Sequence, residues 1–240
     1  MWKLFSSETE DKGNTKSTIT RQVKEFRKVW NGKPYHNFGV ERVVMLILVL
    51  LPFGDLGLYY RNLFIGKKQL LHRKIYIDFY VVLNLILPIL VLFCGWYMYS
   101  WVVVVCIYFG VMTMAALLSM SFLHHNIPSA ISYRRNIISL FLNFLQFVSL
   151  FAVLYMYVGG ECFKIDQCTN EQMSSLQALY LSLETFTSVG FGDIHPCKDS
   201  GYIILIIQMA VQILFAYLFF ASFVDRINDP TFFNYKKEKK

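Results

Sequence analysis

The chain has 240 residues, 55% of them hydrophobic and only 16% charged, with a mean hydropathy of +0.43. Soluble domains carry roughly a quarter of charged positions, so an ordinary soluble fold is excluded, and five cysteines are too few for a disulfide-stapled secreted one. The net charge of +7 does not call for nucleic acid as a partner, because basic residues flank membrane spans on the cytoplasmic side.

Residues 1–38 form a polar arm without the short apolar core of a signal peptide. Within it Ile19, Val23, Phe26 and Trp30 recur at helical spacing, with Arg21, Lys24, Arg27 and Lys28 between them. This predicts an amphipathic basic helix, which either lies on anionic lipid at the inner membrane surface or packs on its neighbours.

The first hydrophobic stretch, Val43 to Tyr60, is interrupted by Pro52, Gly54, Asp55 and Gly57. If it crosses the membrane, the basic N-terminal arm lies outside, against the positive-inside tendency. If it turns back near Pro52, the arm stays inside, which is the reading we favour. From Phe79 to Tyr133 there is no Asp, Glu, Lys or Arg. The apolar run Phe79 to Leu123 is too long for one span and suits two, with a break at Gly95 to Trp101 where Trp and Tyr cluster as at a membrane–water interface. Further uncharged spans are Ile137 to Val158 and Tyr202 to Val224, and a basic tail closes the chain. The domains expected are therefore 1–38, the arm; 39–136, a peripheral membrane region of two or three hydrophobic segments; 137–224, the last two spans with the segment between them; and 225–240, the tail.

Charge sets the expected orientation. Between the last two spans, residues 159–201 hold Glu161, Asp166, Glu171, Glu184, Asp193 and Asp199 against Lys164 and Lys198 alone. This segment faces outward, and Arg134-Arg135, the basic segment 61–78 and the C-terminal tail face inward.

The outward segment contains Thr185-Phe186-Thr187-Ser188-Val189-Gly190-Phe191-Gly192-Asp193, preceded by a helix-length run from Ser174 that is too short to span. A cation stripped of water needs a ring of oxygens without a fixed counter-charge, which backbone carbonyls can supply if successive residues turn them the same way. Such a path needs backbone angles open mainly to glycine at alternate positions, here Gly190 and Gly192.

Over residues 137–228, with an outer helix, pore helix, filter and inner helix, the chain resembles the potassium-channel family. The resemblance implies an all-α membrane protein: a homotetrameric pore, preceded here by two or three additional hydrophobic helices, in which three further copies of the chain complete the ring. It implies ion ligands from the carbonyls of Ser188, Val189, Gly190 and Phe191 and from the Ser188 hydroxyl. The side chains of Thr187 and Val189 would point away from the ions and Phe191 would pack behind the filter. Gly192 and Asp193 would support it, and no cofactor beyond permeant potassium is implied. Two positions depart from the family's usual pattern. Ser188 stands where Thr is usual, keeping the hydroxyl but losing the methyl that holds its rotamer, and Phe191 replaces the commoner Tyr. Glu184 resembles a pore-helix glutamate that in some bacterial members shares a proton with the filter aspartate, here Asp193. Two close carboxylates in a poorly solvated site cannot both ionise cheaply, so the pair is expected to control filter collapse.

No span carries the repeated Arg or Lys of a voltage sensor. Gln208 and Gln212, four apart on one face of the inner helix, either line the water-filled cavity or hydrogen-bond to neighbouring helices, and the cavity is expected for at least one of them. Cys162 and Cys168 are candidates for a bridge above the outer helix. His124-His125 has no acid or Cys nearby in sequence, and no nucleophile–base or metal-ligand arrangement points to an enzyme. The rival readings are a weakly selective cation channel, for which Ser188 is the argument, and a potassium-uptake or regulatory membrane subunit.

Overall fold

The computed structural model describes residues 18–31, 39–54, 70–123, 133–159, 162–165 and 173–227. They form seven α-helices: α1 (Thr18–Trp30), α2 (Val40–Leu50), α3 (Leu70–Phe93), α4 (Ser100–Leu123), α5 (Tyr133–Val158), α6 (Ser175–Thr187) and α7 (Asp199–Ile227), with strands β1 (Phe163–Ile165) and β2 (Ile194–Pro196). The chain divides into two compact units, residues 1–82 with 112–132, and residues 83–111 with 133–240.

In the first unit α1 packs against α2. Val29 is buried, whereas Val23 and Trp30, two members of the predicted apolar stripe, are exposed. Phe26 stacks on Trp30 with ring centroids 5.9 Å apart, and the Arg42 guanidinium caps the helix by donating to the Trp30 carbonyl. Helix α2 has 11 residues, about 16 Å and so about half the hydrocarbon core. It ends in a tight turn, Leu51–Gly54, the place where the sequence suggested re-entry. The Ser119 hydroxyl donates to the Leu48 carbonyl at 2.6 Å, tying α4 to α2.

The second unit is built around α5. Leu140, Phe147, Val148, Leu150, Phe151, Ala152, Val153 and Tyr155 are all buried, so α5 is a core helix, covered on several sides. Gly110 of α4 permits one close approach: a methyl there would meet Leu150 Cδ2 at 2.5 Å. Helix α5 also packs against α6, α7 and the short turn Trp96–Met98. Phe144, Phe147 and Phe151 of α5 meet Phe186 of α6 and Phe215 of α7 edge-to-face, with centroids 5.2 Å apart for Phe147–Phe215 and 5.8 Å for Phe151–Phe186. Edge-to-face pairs suit the opposite charges of ring face and ring edge, at about 0.5–1.5 kcal/mol each. This aromatic knot holds three helices together at the C-terminal end of α6.

The expected break at Gly95 to Trp101 is a short turn, Trp96–Met98, entered through Gly95 at φ 74°. Among the described residues three helical stretches are long and apolar enough to cross a membrane, Ser100–Ser119, Ile137–Val158 and Asp199–Ser222; the apolar part of α3, Phe79–Phe93, is shorter. One feature departs from an all-helical reading. Strands β1 and β2 pair antiparallel, with Phe163 opposite Pro196 and Ile165 opposite Ile194. The ladder continues in a Cys197 N–H donated to the Cys162 carbonyl at 2.8 Å. It clamps the chain just after α5 to the chain just before α7, closing the segment that holds α6.

Candidate ion-conduction site

Helix α6 begins with a full capping box: the Ser174 hydroxyl accepts the Gln177 N–H and the Gln177 side-chain oxygen accepts the Ser174 N–H, at 3.3 and 2.8 Å. Ser175 then donates to the Leu92 carbonyl at 3.1 Å. With 13 residues the helix is about 20 Å long, too short to cross a membrane. It ends at Ser188, whose φ of 57° and ψ of 28° are left-handed. The Ser188 N–H donates to the Thr185 carbonyl at 3.1 Å and the Val189 N–H to the Glu184 carbonyl at 3.2 Å. Gly is the usual occupant of such a terminating position. Ser188 is the one non-glycine residue with positive φ among those described, at a cost of about 1–2 kcal/mol.

Beyond α6 the backbone alternates. Ser188, Gly190 and Gly192 have φ of 57°, 65° and 78°, while Val189 and Phe191 between them do not enter the positive region. Nothing lies within 4 Å of where a Cβ would sit on Gly190 or Gly192. Glycine is needed here for its backbone angles and not for space. All five residues from Ser188 to Gly192 are exposed.

Glu184 is buried at 7% exposure. Its Oε1 accepts the Gly192 N–H at 3.2 Å, and its Oε2 has no partner among the described residues. Asp193 instead accepts from the Tyr180 hydroxyl at 3.3 Å. The expected proton sharing between Glu184 and Asp193 is therefore not a direct hydrogen bond in this structure; each carboxylate has its own donor. The Thr187 hydroxyl turns back to the Leu183 and Glu184 carbonyls, at 2.9 and 3.2 Å.

The two inner-helix glutamines part company. Gln208, a candidate for the cavity, is completely buried. Its Nε2 donates to the Ser182 carbonyl at 2.8 Å and lies 3.3 Å from the Ser182 hydroxyl, and its Oε1 accepts from the Tyr155 hydroxyl. Ser182 in turn donates to the Val148 carbonyl at 2.7 Å. Gln208 thus joins α7 to α6 and α5, satisfying polar groups that have no water to turn to. Gln212 is half-buried, and its Nε2 donates to the Ser188 hydroxyl. Phe191, expected to pack behind the filter, is 73% exposed, and Val189 53%, among the described residues.

Cys168 lies outside the described residues, and with it the expected bridge. Cys162 is buried, its Sγ 3.3 Å from the Ser200 hydroxyl. Sequence reasoning missed Ser182, Tyr155, Tyr180 and the capping pair. The pair was legible as Ser-x-x-Gln before an apolar run, whereas the others act through contacts distant in sequence.

A model of the family described as "Ion channel" matches residues 143–229. No curated protein and no solved structure matches the chain. The matched segment runs from within α5 through α6 and the alternating backbone to just past the end of α7, so the region assembled here around Ser188–Asp193 lies wholly inside the part of the chain that is similar to that family.

Proposed function

We propose that the chain forms a tetrameric, potassium-selective pore in the cell membrane, with its filter mouth outside and its C-terminus inside. The observation that carries this reading is the alternation of positive φ at Ser188, Gly190 and Gly192. In an extended strand successive carbonyls point to opposite sides. Alternating left- and right-handed residues turn them to the same side, which is what a row of cation sites requires. The sites would be made by the carbonyls of Ser188, Val189, Gly190 and Phe191 and by the Ser188 hydroxyl. Four copies are needed because one such row cannot surround an ion. Asp193 and the other acidic residues of 159–201 would concentrate cations at the mouth, and the C-terminal end of α6 places its partial negative charge at the inner end of the row. Basic residues of the cytoplasmic segments would favour anionic lipid. No arginine-repeat sensor is present in the spans, so gating at the filter itself is the reading the sequence favours.

The test is potassium flux from liposomes holding the purified chain, with sodium for comparison. Gly190→Ala puts a side chain at φ 65° and should abolish the potassium flux. Equal fluxes of the two ions would instead support a weakly selective cation channel, the reading that the strained and methyl-less Ser188 favours.

A further inference from the structure

We propose that Gln212 is the positioning residue of the innermost cation site, doing for Ser188 what a threonine methyl would otherwise do. The inference rests on the channel reading above and adds a specificity determinant to it.

Two observations converge on Ser188. It is the only described non-glycine residue held at positive φ, and its side chain has no branch to restrict χ1. A free serine hydroxyl samples three rotamers, so an oxygen meant for an ion would point to it only part of the time. The described contact that fixes this oxygen is the Gln212 amide, which donates Nε2–H to it. A hydroxyl has two lone pairs and one hydrogen. With one lone pair taken by Gln212, the other is available to a cation only while the hydroxyl hydrogen is turned elsewhere. The donor therefore sets both the rotamer and the polarity of the group.

The amide arrives at a defined place because α7 is pinned one turn earlier. Gln208, about 6 Å along the helix from Gln212, is locked to Ser182 of α6 and Tyr155 of α5. A long glutamine side chain would otherwise pay its own rotamer entropy to reach Ser188. The pinned helix makes Gln212 a rigid strut from the inner helix to the filter's inner end, and any movement of α7 bears directly on this oxygen.

The experiment uses the full chain, reconstituted, as wild type, Gln212→Leu, Gln212→Met, Ser188→Thr and Ser188→Thr with Gln212→Leu. Two readouts are taken: the potassium-to-sodium flux ratio, and binding of barium, a divalent cation of nearly potassium's size, to purified protein by calorimetry. In the serine background, loss of the amide should lower the flux ratio and weaken barium binding about tenfold, the effect of one hydrogen bond. Gln212→Met keeps the length without the donor and should behave like Gln212→Leu. Ser188→Thr supplies its own methyl, so adding Gln212→Leu to it should change either readout less than about twofold. Equal losses in the serine and threonine backgrounds, or none in the serine background, would overturn the proposal while leaving a conducting wild type and its channel reading intact. A wild type with neither Gly190-dependent flux nor Gly190-dependent barium binding would overturn both.

Discussion

Glu184 shows how one buried side chain can orient a carbonyl it does not touch. In a trans peptide the N–H and C=O point in opposite directions. The Gly192 N–H is held toward α6 by the Glu184 carboxylate at 3.2 Å, so the Phe191 carbonyl of the same peptide is held away from α6. In the tetramer proposed here that direction is the ion path. A hydrogen bond to a charged group contributes about 1.5–3 kcal/mol, enough to set the rate at which this peptide turns over. Glu184→Ala removes the bond, and flux through a continuously open population should then decay about tenfold or more faster. Glu184→Gln keeps an acceptor at the same position and should fall between the two. The comparison is of flux decay after a potassium jump, and decay unaltered in Glu184→Ala would remove Glu184 from any part in filter collapse. Buried carboxylate oxygens are costly when unpaired, and Oε2 has no described partner. Loss of the side chain should therefore leave thermal stability nearly unchanged while flux decay accelerates.

The two glutamines of α7 make their contacts at two heights, and this explains why Gln208 and Gln212 were paired in the sequence but not in the structure. Spacing of four shows that they share a face, and a shared face suggested a shared environment. The rise between them, about 6 Å, carries one to the middle of α6 and the other to its end. Gln208→Leu would remove the acceptor of the Tyr155 O–H and the bond that ties α7 to the Ser182 carbonyl, at a cost of about 1–3 kcal/mol. Tyr155→Phe should cost less, and the double substitution less than the sum of the two. Thermal unfolding in detergent measures all three; simple additivity would mean that the hydroxyl and the amide are not coupled. The elements themselves were largely readable. Uncharged runs marked α4, α5 and α7, and the aromatic cluster marked the turn between α3 and α4. The half-crossing helix was visible because Ser174 begins it and the glycines end it. The pairing of β1 with β2 was not readable, since three-residue strands more than 25 positions apart carry no local period. The left-handed angle at Ser188 was hidden for another reason: serine is rarely found there, and it occurs here where the Ser188 and Val189 N–H groups close the end of α6 on the Thr185 and Glu184 carbonyls.

At the scale of the whole molecule, the described residues leave the proposed filter, Ser188 to Gly192, exposed. Phe191 is 73% and Val189 53% exposed, and on α7 Ile206, Ile213 and Phe220, spaced by seven, are 64%, 69% and 69% exposed. Lipid tails can cover the helix. They cannot cover the filter, because exposed N–H and C=O groups at membrane depth are tolerated only against protein or water. The closed ring of copies proposed above would answer both needs, with protein behind each Ser188–Gly192 segment and water in front of it. Phe191 then becomes a contact between neighbouring chains, with little to do inside its own. Burying such a ring contributes about 1.5–3 kcal/mol, repeated once per chain around the assembly. Phe191→Ala should therefore lower the temperature at which the assembly separates into 28.1 kDa chains, while the helical content of the separated chain is unchanged. Met98→Ala, at a side chain 79% exposed in the turn after α3, serves as the comparison and should not shift that temperature. The mass of the particle before heating, read by native mass spectrometry from detergent, should be that of four chains. If Phe191→Ala and Met98→Ala separate at the same temperature as the wild type, Phe191 does not lie between subunits, and the carbonyl row would need some other support.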